Sequence, residues 1–181
     1  MQPYHLAKLI AWTESGELKS RKRIQKVVYL LQRAGCGALD AEFTLHHYGP
    51  YSQDVAALTD QMVSAGLLME KAEPNQMVGS SYSYRLSDSA KKSLAQFEEE
   101  EPGRKMAADM QPFHSRATEL LKTDLRKLEY AATAAYFYWR EQDWKTALDR
   151  TCEFKEVKAD GDVVTAAVEL AKKFVECPNQ A

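Results

Sequence analysis

The chain has 181 residues, 45% of them hydrophobic, and a formal net charge of −2. That is enough apolar material for one compact domain with an appendage, or for two small domains sharing an interface, and it excludes general disorder. The charge is uneven: residues 1–35 carry seven Lys/Arg against two Glu, and residues 36–75 carry one Lys against six Asp/Glu, so different faces suit different partners.

Leu6, Leu9, Ile10 and Thr13 recur at helical spacing, and Ser15-Gly16 breaks the pattern, which predicts a first helix over residues 3–14. Ser20 is placed to cap a second, whose apolar stripe is Ile24, Val27, Val28 and Leu31 and which stops at Gly35 and Gly37. Residues 43–48 read as a short strand and Gly49-Pro50 as a turn. Ser52 then caps a third helix with Val55, Leu58 and Met62 on its core face. Residues 67–72 and 82–86 are expected as two strands joined by a polar loop containing Pro74-Asn75 and Gly79-Ser80-Ser81. Ser87 or Asp88 caps a further helix that buries Ala90, Leu94 and Phe97.

Three helices followed by a hairpin are the order of a winged helix-turn-helix. The fold class expected is therefore mainly α with a small β-hairpin: a winged helix-turn-helix domain over 1–98, a linker over 99–112, and a C-terminal helical region over 113–181. The acidic run at 98–101 followed by Pro102-Gly103 sets that boundary. Beyond it, Leu121, Leu125, Leu128, Ala132, Ala135 and Trp139 mark one long helix. Trp144, Leu148 and Thr151 mark a shorter one, and Val163, Ala167, Leu170 and Phe174 a last one, capped by Asp160 or Asp162. A region this small is marginal alone, so it should pack on the first domain or form a homodimer.

The apolar runs at 27–31 and 131–138 are too short to cross a bilayer, and no basic segment leads into an apolar one at the start. No membrane association and a cytoplasmic address are expected. Cys36, Cys152 and Cys177 are odd in number and widely spaced, which suits reduced thiols better than a disulfide framework or a zinc knuckle.

The stretch Arg23-Ile24-Gln25-Lys26-Val27-Val28-Tyr29-Leu30-Leu31, followed by His47-Tyr48-Gly49-Pro50-Tyr51-Ser52 and Gly66-Leu67-Leu68, resembles the Panacea antitoxin family and related uncharacterised bacterial proteins. The resemblance covers residues 5–90; at Tyr51-Ser52 the chain departs from many antitoxin versions, which carry an apolar pair. It implies a non-catalytic domain that neutralises or escorts a protein partner, often encoded beside it.

Lys19, Arg21, Lys22, Arg23 and Lys26 gather where the second helix begins. Cations there oppose the helix dipole, which hints at use by an outside partner, either an acidic protein surface or a phosphate backbone; a solvated face is the plain alternative. Tyr48 and Tyr51 flank the Gly-Pro pair and offer aromatic rings to the same partner. The third helix has no Lys or Arg between Tyr51 and Glu70, and Asp54 and Asp60 would repel a duplex, although Gln53 and Gln61 are able to read adenine edges. His46 and His47 alternate across a strand and lack a third ligand at a recognisable spacing, so one is expected packed and the other exposed, with no metal and no cofactor. The cluster Tyr130, Tyr136, Phe137, Tyr138, Trp139 and Trp144 is expected to pack on the first domain, with an outside partner or a homodimer interface as the alternatives. No local catalytic motif is present. The leading reading is a protein-interaction module, antitoxin-like or adaptor; the alternative is a DNA-binding regulator using the basic helix start and the wing. An enzyme assembled from distant residues comes third.

Overall fold

Eight successive residues, Ile24 to Leu31, are buried along one helix, and this alone says that the helix is covered on all sides. An amphipathic surface helix would bury a single stripe. The computed structural model describes residues 1–75, 79–157 and 161–176. In it the chain is mainly α with a small antiparallel β part.

The N-terminal half runs α1 (Pro3–Ala11), β1 (Glu17–Lys19), α2 (Arg21–Arg33), β2 (Thr44–His46), β3 (Gly49–Tyr51), α3 (Gln53–Ser64), β4 (Leu68–Asn75), β5 (Gly79–Leu86) and α4 (Asp88–Glu99). The rest is α5 (Gly103–Met110), α6 (His114–Lys122), α7 (Leu125–Glu141), α8 (Trp144–Lys155) and α9 (Asp162–Val175). Strands β1, β5 and β4 form one antiparallel sheet in that order, and β2 and β3 form a second, two-stranded one. No helix among the described residues is long and apolar enough to cross a membrane.

Several local expectations hold because the caps that set them are local. The Ser52 hydroxyl accepts from the Val55 amide at 3.3 Å, and the Ser87 hydroxyl from the Ala90 amide at 3.2 Å. Others are corrected. Ser20 precedes α2 but its side chain makes no cap bond; its φ is 80°, and its amide donates to the Tyr82 carbonyl at 2.7 Å. The strand expected over 43–48 is shorter, His47-Tyr48 make the turn, and Gly49-Pro50 are paired in β3 rather than turning. The loop residues Pro74, Asn75 and Gly79 to Ser81 lie within the paired strands β4 and β5. On α3, Thr59 is buried and Leu58 only half so, and the core face runs through Val55, Thr59 and Met62.

The segment 99–112 contains α5, whose Met110 is fully buried with its sulfur 3.9 Å from Cys36 Sγ. The long helix expected from Leu121 is broken where Asp124 caps α7 by accepting from the Lys127 amide at 3.0 Å. Trp139 lies outside the core face of α7, half exposed, under the Arg33 guanidinium. At the start of α9, Val164 is buried and Val163 exposed, one position out of the expected register; Gly161 occupies the cap position, Asp162 opens the first turn, and Asp160 lies outside the described residues, as does Cys177.

The C-terminal helices dock on the first half, with α7 lying along α2 and β3 and backed by α8 and α9. Tyr136 meets Tyr29 of α2 at 6.4 Å between ring centroids, while Phe137 turns to Phe154 and Tyr138 stacks on Trp144 at 3.9 Å. The aromatic cluster is thus shared between the α2 face and the packing of α7 on α8. Gly49 is where β3 touches α7: its φ is +94°, and a Cβ there would meet the Thr133 hydroxyl well inside contact distance. Gly49→Ala should cost about 2–4 kcal/mol, left-handed strain plus the clash, and Gly66→Ala, with a φ of +69° but open space, only about 1–2 kcal/mol. Urea denaturation of the two variants checks the difference, and equal costs would refute the α7 seat.

Candidate functional site

The start of α2 faces the short hairpin β2–β3, and backbone polar groups there are out of water. Ser52 is 1% exposed, so its N–H and C=O need partners inside the protein. Gln25 supplies both. Its Oε1 accepts from the Ser52 amide at 2.8 Å, and its Nε2 donates to the Ser52 carbonyl at 3.0 Å. One residue on, Lys26 donates from Nζ to the Pro50 carbonyl at 2.9 Å. Lys26 is 2% exposed, and burial pushes its ammonium down to about 8, partly countered by Glu129 of α7, with Lys155 and Lys22 acting in the same sense as burial.

The other members of the basic cluster are drawn apart. Arg21 donates from Nε to the Tyr84 hydroxyl at 2.6 Å and from Nη2 to Glu70 at 2.8 Å, with Asp60 of α3 at 3.1 Å. Lys22 lies 3.3 Å from Glu129 and 3.2 Å above the centre of the Tyr48 ring. Arg23 donates from Nη1 to the carbonyls of Leu121 and Thr123 at 3.0 and 2.5 Å, satisfying the end of α6. Among the described residues, Lys19 is exposed on β1 with no hydrogen bond or ion pair from its side chain. Four of the five cations are therefore engaged inside the protein.

Tyr48 is half exposed at the hairpin turn, and Tyr51 is half buried with its hydroxyl 3.2 Å from Gln53 Oε1. His46 and His47 are both exposed, against the expectation that one is packed, because the strand ends at His46 and His47 belongs to the turn of a two-stranded hairpin. Among the described residues no three His, Cys, Asp or Glu side chains are grouped so as to hold a metal ion. Gln53 and Gln61 lie exposed on the outer face of α3 with Asp54, Asp60 and Ser64.

Between α2, the hairpin and α3 opens a cavity of about 370 Å³, bounded by Arg21, Lys22, Lys26, His46, Tyr48 and Tyr51 among others. The structure thus brings Arg21, Lys22, Lys26, Tyr48 and Tyr51 to one place, and leaves Lys19, Arg23, Gln53 and Gln61 outside its wall. Sequence reasoning missed Glu129, the carboxylate that serves Lys22. Its signal was a lone acid between Leu128 and Ala132 on an apolar helix face, where an unpaired charge is not tolerated. Nothing local marked Lys155 or Glu70.

No protein-family model matches the sequence. Over 83 residues the chain is 28% identical to "Uncharacterized protein YwgA" of Bacillus subtilis (strain 168), a match that takes in 46% of this chain and 48% of that protein. The chain thus spans about half the length of the curated relative it matches.

Because Lys26 falls from 10.5 to about 8 on folding, the unfolded chain binds more protons between those values, and this group's contribution to stability rises as pH climbs through that window. Titration of the Lys26 side chain by NMR should give a midpoint near about 8, and Glu129→Gln should lower it further by removing the favourable charge. A midpoint at the ordinary lysine value would mean that the ammonium is solvated.

Proposed function

We propose that this chain is a non-catalytic, cytoplasmic protein-interaction module of winged helix-turn-helix type, antitoxin-like or an adaptor. The observation that carries the reading is the engagement of Arg21, Lys22, Arg23 and Lys26 by the protein itself. A duplex-binding protein keeps its cations for phosphates, since the release of counterions from the polyanion drives binding. The exposed face of α3 adds to the case: Gln53, Asp54, Asp60, Gln61 and Ser64 offer polar and acidic groups to a partner, and Tyr48, half exposed at the turn between β2 and β3, adds an amphipathic ring suited to a hot spot. The order of α1, α2, α3 and the β4–β5 hairpin supports the winged-helix assignment. The Panacea-like motifs support the antitoxin-like form.

The DNA-binding alternative would rest on Lys19, the wing, and Gln53 or Gln61 as base readers. Affinity capture of the tagged chain from its native cells after nuclease treatment, paired with anisotropy on a mixed-sequence duplex, separates the two. A stoichiometric protein that survives nuclease and is lost on Tyr48→Ala is expected, with duplex binding no tighter than non-specific, about 10⁻⁴–10⁻⁶ M. Tight duplex binding that falls steeply with salt, and no retained protein, would overturn the proposal.

A further inference from the structure

The cations that wall the cavity beside the hairpin are unevenly matched with carboxylates. Arg21 on its rim has two carboxylates of its own, Asp60 and Glu70. Lys22 and Lys26, by contrast, share one carboxylate among the described residues, that of Glu129: Lys22 pairs with it directly, and Lys26 feels it at longer range. An ammonium has three donors, and among the described residues the one hydrogen bond of Lys26 goes to Pro50. The rest of the wall is of another kind. Ile24, Ala56 and the rings of Tyr48, Tyr51 and His46 present apolar and aromatic surface, with the His46 and Tyr51 rings 5.5 Å apart.

We propose that this cavity binds a small organic acid, its carboxylate set between Lys22 and Lys26 and its ring or alkyl body against Tyr48, Tyr51 and His46. The volume of about 370 Å³ lies at the small end of ligand sites, large enough for an aryl acid and too small for a stretch of nucleic-acid backbone. A mostly apolar lining with a few cationic groups disfavours inorganic phosphate, which needs donors on every side. The site shares Tyr48 with the proposed partner surface but requires nothing to dock on α3, so acid binding by the chain without a partner tests it separately.

The test titrates the full chain with phenylacetate and with its neutral isostere phenylacetamide, followed by backbone amide NMR shifts and calorimetry. Two further arms, N-acetyl-Gly-Phe as the free acid and as the amide, ask whether the carboxylate comes from a free acid or from the end of a polypeptide. Saturable shifts confined to residues 21–26, 46–51 and 56–59 are expected with phenylacetate, and binding about tenfold or more weaker with the amide, as for loss of a charge-assisted bond. Lys22→Gln should weaken the acid by a similar factor without affecting the amide, whereas Tyr48→Ala should weaken both. Both variants lose the contact of Lys22 with the Tyr48 ring but keep the hydrogen bonds from Gln25 and Lys26 that hold the hairpin on α2, so both should fold. Equal binding of acid and amide, no saturable shift with any of the acids, or an unchanged affinity in Lys22→Gln would overturn the proposal.

Discussion

Ser52 leaves the small hairpin with both of its backbone polar groups out of water, and the Gln25 side-chain amide meets them both. A primary amide carries a donor and an acceptor side by side in one plane and so can meet the carbonyl and the amide of the same residue. Gln25 therefore extends the hairpin's hydrogen bonding onto a helix. With Lys26 holding the Pro50 carbonyl, the segment 50–52 is fixed against α2, and three consequences follow. The Ser52 hydroxyl is positioned to cap α3, Gly49 is pressed against Thr133 of α7, and the cavity wall acquires its tyrosines.

The same helix resolves an apparent electrostatic error. Cations in a first turn oppose the helix dipole, yet α2 opens with Arg21, Lys22 and Arg23 and has no acid in its first turn. Compensation comes from elsewhere in the fold: Glu70 from β4, Asp60 from α3, Glu129 from α7 and the terminal carbonyls of α6. Most of these pairs are partly exposed, so each contributes modestly. Their joint effect is topological, since they tie strand β4, the third helix and the C-terminal helices to one short stretch of α2. The C-terminal region is in this sense part of the same core, and α2 is buried because α7 covers the side that the sheet and α3 do not.

What was legible in the sequence follows the range of the forces involved. Helix periodicity and the serine caps act within a few residues, so α1, α2, α3 and the hairpin could be read from the chain. Strand β1 could not, because three residues, Glu17 to Lys19, become a strand only by pairing with β5 more than sixty positions away. The division at Thr123-Asp124 was missed since Leu121 and Leu125 keep helical spacing across the break. The site was half legible. Its residue types were singled out, Lys22, Lys26, Tyr48 and Tyr51 among them, but a cluster of cations reads the same whether it awaits a partner or already has one. The deciding partners of Gln25 and Lys26 are backbone atoms, which no side-chain pattern records.

The grip of Gln25 on Ser52 is open to direct measurement by native-state amide hydrogen exchange. If the grip exists as described, the Ser52 amide exchanges only through global unfolding, with the same free energy as Val28 and Leu30 in the middle of α2. Exchange of Ser52 orders of magnitude faster than those core amides, at the pace of the exposed hairpin turn, would contradict it.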